Sequence, residues 1–367
     1  MTTLAQGILP ASAIARFCDQ GIITLARKVD DDQIQPASLD LRLGAKAYRV
    51  RASFLPGPKT VVSEKLRQLA LHEIDLTEGA VLETGCVYIV QLMESLALPA
   101  GISAAANPKS STGRLDIFTR VIADYAQEFD KVPEAYTGPL YAEISPRTFS
   151  ILARQGSRLS QIRFRAGAAT ASDALIHELH AHEPLITSGE VNIDGGLALS
   201  VDLRSIEKDA PVGFRAKRHS ALVDVDKKGA LDVLDYWEPI WREGSLILDP
   251  DQFYILASKE AVRVPPTHAA EMVPYNPLVG EFRVHYAGFF DPGFGHVSGQ
   301  GEGARGVLEV RSHEVPFILE DGQIIGRLVY EPLTEKPDRV YGQVGSNYQK
   351  QGLKLSKHFK PFTVGMR

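Results

Sequence analysis

Apolar and polar residues alternate in short runs along most of this chain, the two-residue period of strands with one buried face. Gln35-Pro36-Ala37-Ser38-Leu39-Asp40-Leu41-Arg42-Leu43-Gly44 is the clearest early case and closes on a glycine turn. Between about residues 72 and 165 the pattern repeats in Val81-Leu82-Glu83, Tyr88-Ile89-Val90-Gln91-Leu92, Leu140-Tyr141-Ala142-Glu143-Ile144 and Ser160-Gln161-Ile162-Arg163-Phe164. Helical spacing is limited to residues 9–27, where Ile14, Phe17 and Ile22 share a face, and to an Ala-rich stretch near 166–190. Asp30-Asp31-Asp32 reads as a solvated loop. Many short strands with few helices predict a mainly β protein built as barrels or sandwiches.

The pattern then repeats itself. Ser200-Val201-Asp202-Leu203-Arg204 restates Ser38-Leu39-Asp40-Leu41-Arg42 at an offset of 162. Glu94 matches Glu260, Pro99 matches Pro265, Glu143 matches Glu309 and Gly156 matches Gly322, each at an offset of 166. A constant offset over four anchors indicates a tandem duplication of one β domain. The division this predicts is a first domain over 1–167, a linker over 168–190 and a second domain over 191–367, with about four extra residues in the second copy between its early and late anchors. The linker holds His177, Glu178, His180, His182 and Glu183. Their spacing is not that of the two-histidine zinc helix, so an exposed helix is the expectation there.

Composition narrows the reading. With a net charge of −5 and no basic block, the chain offers no footprint for a nucleic-acid polymer and no polybasic membrane patch. Its apolar runs fall short of the roughly 18 residues of a membrane span, and the N-terminus has no signal-peptide pattern, so a cytoplasmic location is expected. The two cysteines, Cys18 and Cys86, sit in apolar surroundings and are expected to be buried, reduced thiols.

Candidate chemistry begins at Asn107-Pro108-Lys109-Ser110-Ser111-Thr112-Gly113-Arg114. Two cations, two adjacent hydroxyls and a glycine can wrap an oligophosphate. The same residues also suit a hydrophilic turn, so the loop alone decides nothing. Trp237 and Trp241 flank Pro239 as packing aromatics commonly do, and His285 is expected to be a satisfied core histidine.

Taken in order, the Ser-x-Asp-Leu-Arg strand, the Glu-x-x-x-x-Pro segment, the Ser-Ser-x-x-Arg loop, the Phe290-Asp291-Pro292-Gly293-Phe294 turn, Leu308-Glu309-Val310 and the tail Tyr348-Gln349-Lys350-Gln351-Gly352 resemble the dCTP deaminase family of the trimeric dUTPase-like β-fold. The resemblance covers nearly the whole chain as two copies. It implies two tandem dUTPase-like, distorted β-barrel or jelly-roll-like domains and hydrolytic deamination of dCTP to dUTP and ammonia. It also implies Mg²⁺ carried on the substrate triphosphate and a homo-oligomer, or a single chain that imitates one. By the same resemblance a glutamate activates the water, Ser111 and Arg114 serve the chemistry, and Lys109, Ser110, Asp291, Tyr348, Lys350 and Gln351 join them in holding the nucleotide.

The residues allow the chemistry to be argued separately. Deaminating cytosine needs an activated water and a group that carries its proton to the ring and the departing ammonia. Zinc deaminases use a Pro-Cys-x-x-Cys signature, which a chain with Cys18 and Cys86 alone cannot supply. A buried carboxylate is then required, and Glu143 or Glu309, each within an apolar strand, can provide it, with desolvation expected to raise its pKa. The copies differ. At the offset of 166 the loop residues fall on Tyr275, Asn276, Pro277 and Gly280, while the first copy's turn is altered to Phe129-Asp130-Lys131-Val132-Pro133-Glu134-Ala135-Tyr136. Two arrangements stay open. One is a composite of the first copy's loop with Glu309, Asp291 and the tail. The other is a site on the first copy with Glu143 as base, helped by Asp130 and Tyr136. dUTP diphosphate hydrolysis and non-catalytic nucleotide binding are the competing functions.

Overall fold

The long Ser38–Val50 strand shows how the pattern becomes structure. Its first part, Leu39 to Arg42, pairs with the Arg158–Ala166 strand, and its second part, from Leu43 onward, pairs with Val87–Ala97. The register slips between Leu43 and Ala47, a bulge that lets one strand serve two sheets and bend the structure towards closure. Gly44 permits this bend, since a Cβ there would lie 2.5 Å from the Gln91 carbonyl oxygen.

This is a computed structural model, and it describes residues 5–167, 172–204, 210–241, 244–274, 282–285, 288–296, 303–312, 314–343 and 352–363. The chain forms two compact units. The first comprises 1–169 with 221–228 and 333–339, and the second 170–220, 229–332 and 340–367. In the first unit, antiparallel strands run in the order Lys131–Val132, Ile102–Pro108, Arg158–Ala166, Ser38–Val50, Val87–Ala97, Thr137–Pro146 and Ile117–Ala123. In the second, Phe253–Val262 lies between Gly213–Ala216 and Ala304–Ser312, while Ile324–Pro332 lies between Leu197–Ser200 and His268–Pro274. Leu199, Leu256, Leu308, Val310 and Leu328 meet in the second unit's core. No helix among the described residues is long and apolar enough to cross a membrane.

Hydrogen bonds fix the equivalence of the copies and correct one expectation. Leu43 N–H donates to the Ser157 carbonyl at 3.0 Å and Gly156 N–H to the Leu43 carbonyl at 2.8 Å. In the second unit Val201 N–H donates to Gln323 at 3.0 Å and Gly322 N–H to Val201 at 2.9 Å. Val201 is therefore the counterpart of Leu43, an offset of 158, while Gly322 and Gly156 keep 166. Asp40 and Arg42 correspond to Ala198 and Ser200, so Asp202 and Arg204 do not repeat them. The second copy has eight extra residues here instead of about four, the difference of 166 and 158. The shift between 162 and 158 is an even number, which leaves a two-residue alternation in phase.

Residues 172–188, expected as a linker, belong to the second unit. The Ser172 hydroxyl accepts from Leu175 N–H at the start of the Asp173–His182 helix, Ile176 is buried in the unit's core, and Ile186–Ser188 pairs with the Phe253–Val262 strand. Conversely, residues 221–228 complete the first unit. Val223 and Asp224 pair in parallel with Ile151 and Leu152, and Arg154 donates to both Asp224 oxygens at 2.8 and 3.0 Å. Cys18 and Cys86 are free but only half-buried, so the expectation of full burial fails. Burial, with Asp19 and Glu94 nearby, pushes the Cys18 thiol up to about 11.

Hydrogen bonds from Arg154 hold the Asp224 carboxyl below its ordinary value of 3.8. Asp224→Asn should cost the first unit about 1 kcal/mol at neutral pH. A carboxyl with a depressed folded pKa contributes stability that is whole above 3.8 and disappears as pH falls through the lower folded value. Denaturant melts of both proteins should therefore differ at pH 7 and converge at strongly acid pH. Equal melts at pH 7 would show that the pair contributes nothing.

Candidate active site

The Lys109–Arg114 segment leaves the end of the Ile102–Pro108 strand, where Lys109 N–H still donates to the Leu159 carbonyl at 2.9 Å. Thr112 and Gly113 N–H groups then return to the Lys109 carbonyl, and Arg114 N–H to Ser110, winding the loop into one helical turn. Ser111, Thr112 and Arg114 are buried, while Lys109 and Ser110 are half-buried. Buried serine and arginine side chains are unusual for a solvated turn. Lys109 Nζ pairs with the carboxylate of Asp40, which is 1% exposed, and Arg158 Nη1 lies 3.6 Å from the same oxygen. Asp40 thus fixes the loop's lysine.

Glu143 lies in the Thr137–Pro146 strand directly opposite Arg120 of Ile117–Ala123. The carboxylate is buried, and its Oε1 accepts from Arg120 Nη2 at 2.5 Å and Nε at 3.1 Å. Arg120 is itself held: Nη2 donates to Ser53 Oγ at 2.7 Å, and the guanidinium carbon lies 3.4 Å from the Phe129 ring centroid. Glu143 Oε2 is buried and has no hydrogen-bond partner among the described residues. The helpers considered for this glutamate have backbone roles. Asp130 Oδ1 accepts from Val121 N–H at 2.7 Å, and the Tyr136 hydroxyl donates to the Pro139 carbonyl at 2.6 Å while accepting from Asp124 N–H at 3.1 Å.

Glu309 occupies the matching place in the second unit, buried in Ala304–Ser312 between Ile255 and His285. At the register position of Arg120 the second copy therefore carries His285. The turn at Asp291 to Phe294 also has a counterpart. Val264 N–H donates to the Phe294 carbonyl at 2.8 Å as Leu98 N–H does to Tyr136, so Phe294 matches Tyr136, Gly293 matches Ala135 and Asp291 matches Pro133. The loop shape persists although its sequence changed, with Ala135 held at φ 56° where the second copy has Gly293 at 87°. Asp291 is buried. Tyr348, Lys350 and Gln351, like the loop counterparts Tyr275, Asn276, Pro277 and Gly280, lie outside the described residues, as does the ring of His285.

The remaining candidates divide between packing and surface positions. Trp237 is fully buried against Phe253 and Phe359, and Trp241 is exposed. His180 Nδ1 accepts from Leu185 N–H, and Glu183 pairs with His296 at 2.7 Å. Among the described residues no three His, Cys, Asp or Glu side chains cluster as a metal site would require. Arg120 was missed from sequence. It belongs to no motif, and only the pairing of two distant strands reveals it.

Two antiparallel β units with one hydrogen-bonding plan define a tandem dUTPase-like β protein. Residues 5–168 match the family model for the 2'-deoxycytidine 5'-triphosphate deaminase N-terminal domain, and residues 172–359 match that for the C-terminal domain. The chain belongs to the dCTP deaminase family. A crystal structure of 2'-deoxycytidine 5'-triphosphate deaminase from Agrobacterium tumefaciens is similar at 63% identity with a TM-score of 0.86, over 91% of this chain and 100% of that one. dCTP deaminases of Haemophilus influenzae and Pasteurella multocida are 36% and 34% identical over 118 residues. Those matches take in 30% of this chain and span only 60% of each relative.

The turn gives a test. Ala135 adopts a left-handed conformation that L side chains disfavour, so Ala135→Gly should be neutral or stabilising by up to about 1 kcal/mol. Gly293→Ala should cost at least about 1 kcal/mol, because the added Cβ would lie 2.8 Å from Val340 Cβ. Thermal melting of the two variants measures the contrast, and equal effects would refute the structural match of the two turns.

Proposed function

We propose that the protein hydrolyses dCTP to dUTP and ammonia, with Mg²⁺ arriving as part of the substrate and Glu309 as the base. The observation that carries the choice of base is the Arg120–Glu143 pair, which commits one oxygen of the first copy's carboxylate to a guanidinium fixed by Ser53 and Phe129. Glu309 takes a proton from water as the oxygen attacks C4 of cytosine. It delivers that proton to ring N3 and then carries the second proton from the new C4 hydroxyl to the amino nitrogen, which leaves as ammonia while the C4 carbonyl forms, so that water replaces ammonia with no change of oxidation state. Ser111 and Arg114 hold the water and the pyrimidine, Lys109 and Ser110 hold phosphates, and Asp291 with Tyr348, Lys350 and Gln351 completes the nucleotide contacts. The loop occurs in the first copy and the tail in the second. The absence of a Pro-Cys-x-x-Cys sequence supports a route without a protein-bound zinc. A cytoplasmic homo-oligomer fits the same reading.

Following ammonia and pyrophosphate separately, with purified protein, Mg²⁺ and either dCTP or dUTP, tests the proposal. Ammonia from dCTP without pyrophosphate is the expected result. Pyrophosphate from dUTP would make the protein a diphosphatase, and no product from either nucleotide would make it a binding protein. Zinc-selective chelation in excess Mg²⁺ should leave the rate unchanged.

Arg114 supplies a second test. Arg114→Gln should lower kcat/KM for dCTP by about 2 to 4 kcal/mol in transition-state binding. Because Arg114 is buried, circular dichroism must first show a folded protein. A folded variant with near-normal kcat/KM would remove this loop from the site.

A further inference from the structure

In the first unit one buried carboxylate is served by two cations. The strand Arg158–Ala166 lies between Ser38–Val50, which carries Asp40, and Ile102–Pro108, which runs into the loop, so Lys109 reaches across the middle strand to place Nζ on Asp40 Oδ2. Arg158, at the start of that middle strand, lies 3.6 Å from the same oxygen, too far for a hydrogen bond. It is held meanwhile by Asp30 and Asp32, each at 2.8 Å. Asp40 Oδ1 is buried and has no hydrogen-bond partner among the described residues. The carboxylate therefore has a second cation within reach and a bare acceptor to offer it.

The second copy carries none of the three. Register sets Ala198 opposite Arg327 as Asp40 lies opposite Gln161, and Ile324 opposite Ser200 as Arg158 lies opposite Arg42. The position matching Lys109 is Tyr275. The same strand pairing forms there without the charges, so the fold does not require them. Asp40, Lys109 and Arg158 go instead with the Ser-Ser-x-x-Arg loop of the first copy. A lysine tied to a buried carboxylate cannot meet a phosphate with its full charge, and drawing it away would leave that carboxylate uncompensated. Arg158 removes this obstacle, because it can close on Asp40 as Lys109 leaves.

We propose that Asp40 and Arg158 are positioning residues for nucleotide binding: Lys109 exchanges Asp40 for the substrate phosphate, and Arg158 takes over the vacated carboxylate. The exchange rests on the reading that Lys109 holds phosphate, and one set of measurements separates the two. Titration calorimetry gives the affinity of the full-length protein for inorganic triphosphate with Mg²⁺, independently of turnover. Lys109→Met should weaken binding at least about tenfold, as loss of a charge-assisted hydrogen bond does. Asp40→Asn should tighten it about threefold or more, since the lysine no longer has to leave a carboxylate; a merely structural Asp40 would loosen the loop and weaken binding. Arg158→Gln should weaken it about tenfold, and this loss should vanish in Asp40→Asn/Arg158→Gln, where no buried charge is left to compensate. If Asp40→Asn does not fold, Asp40→Ala supplies the residue the second copy folds with, and the same tightening is expected. Unchanged affinity in Lys109→Met would overturn both the loop's phosphate role and the exchange. A weakened Lys109→Met beside Asp40 variants that bind no better than wild type, or an Arg158 loss that persists in the double variant, would overturn the exchange alone.

Discussion

A buried carboxylate ties together the two strands on which each unit is built. In the first unit Glu94 accepts from Arg42 N–H at 2.8 Å and Arg42 Nε at 2.8 Å, and from Gln33 Nε2 at 2.9 Å. In the second, Glu260 accepts from Ser200 N–H at 2.7 Å and Ser200 Oγ at 2.6 Å. The backbone donor is the same in both, at the residue just before the strand passes from one sheet to the other. Satisfying an amide at that bend is what permits the bend to be buried. Around this node the partners differ. Arg42 is a fully buried ion-pair partner whose guanidinium also donates to the Arg27 and Lys28 carbonyls, and removing one member of such a pair costs about 3 to 5 kcal/mol. Serine makes the same bend in the second unit by donating its amide and hydroxyl to the carboxylate.

With the frame held in this way, the copies were free to diverge in chemistry. The first kept the Ser-Ser-x-x-Arg turn and anchored its lysine on Asp40, whose strand position is taken by Ala198 in the second. It also placed Arg120 against Glu143, which turns a buried carboxylate into half of a salt bridge. The second copy placed His285 in that register and kept Asp291 and Gly293 in the turn. Asp40 and Ala198, Arg120 and His285, and Ala135 and Gly293 occupy backbone positions common to both copies, so these changes concern side chains rather than fold.

The mainly β architecture and the duplication were legible because alternation and spacing are properties of the sequence itself. The match of Glu94 with Glu260 was read correctly, but its reason, a carboxylate capping a backbone amide, needed the structure. Ser200-Val201-Asp202-Leu203-Arg204 misled because burial on one face selects the same alternation of residue types in any strand, and a four-residue slip preserves it. The 168–190 stretch looked like a linker for want of strong periodicity, yet a single buried residue, Ile176, places its helix in the second unit's core. In the candidate site, the residues of the loop and both glutamates could be named from sequence. Arg120 could not, since its meaning arises only from lying opposite Glu143 across two strands more than twenty residues apart in the chain.

The central claim is that the equivalent glutamates have separated in role, Glu309 keeping the proton-transfer function and Glu143 serving as a structural partner of Arg120. The most direct measurement is the rate of ammonia release from dCTP by Glu309→Gln and Glu143→Gln, since glutamine keeps the shape and removes the base. The account predicts that Glu309→Gln loses turnover while remaining folded, and that Glu143→Gln keeps it with some loss of stability. An inactive Glu143→Gln beside a fully active Glu309→Gln would contradict it.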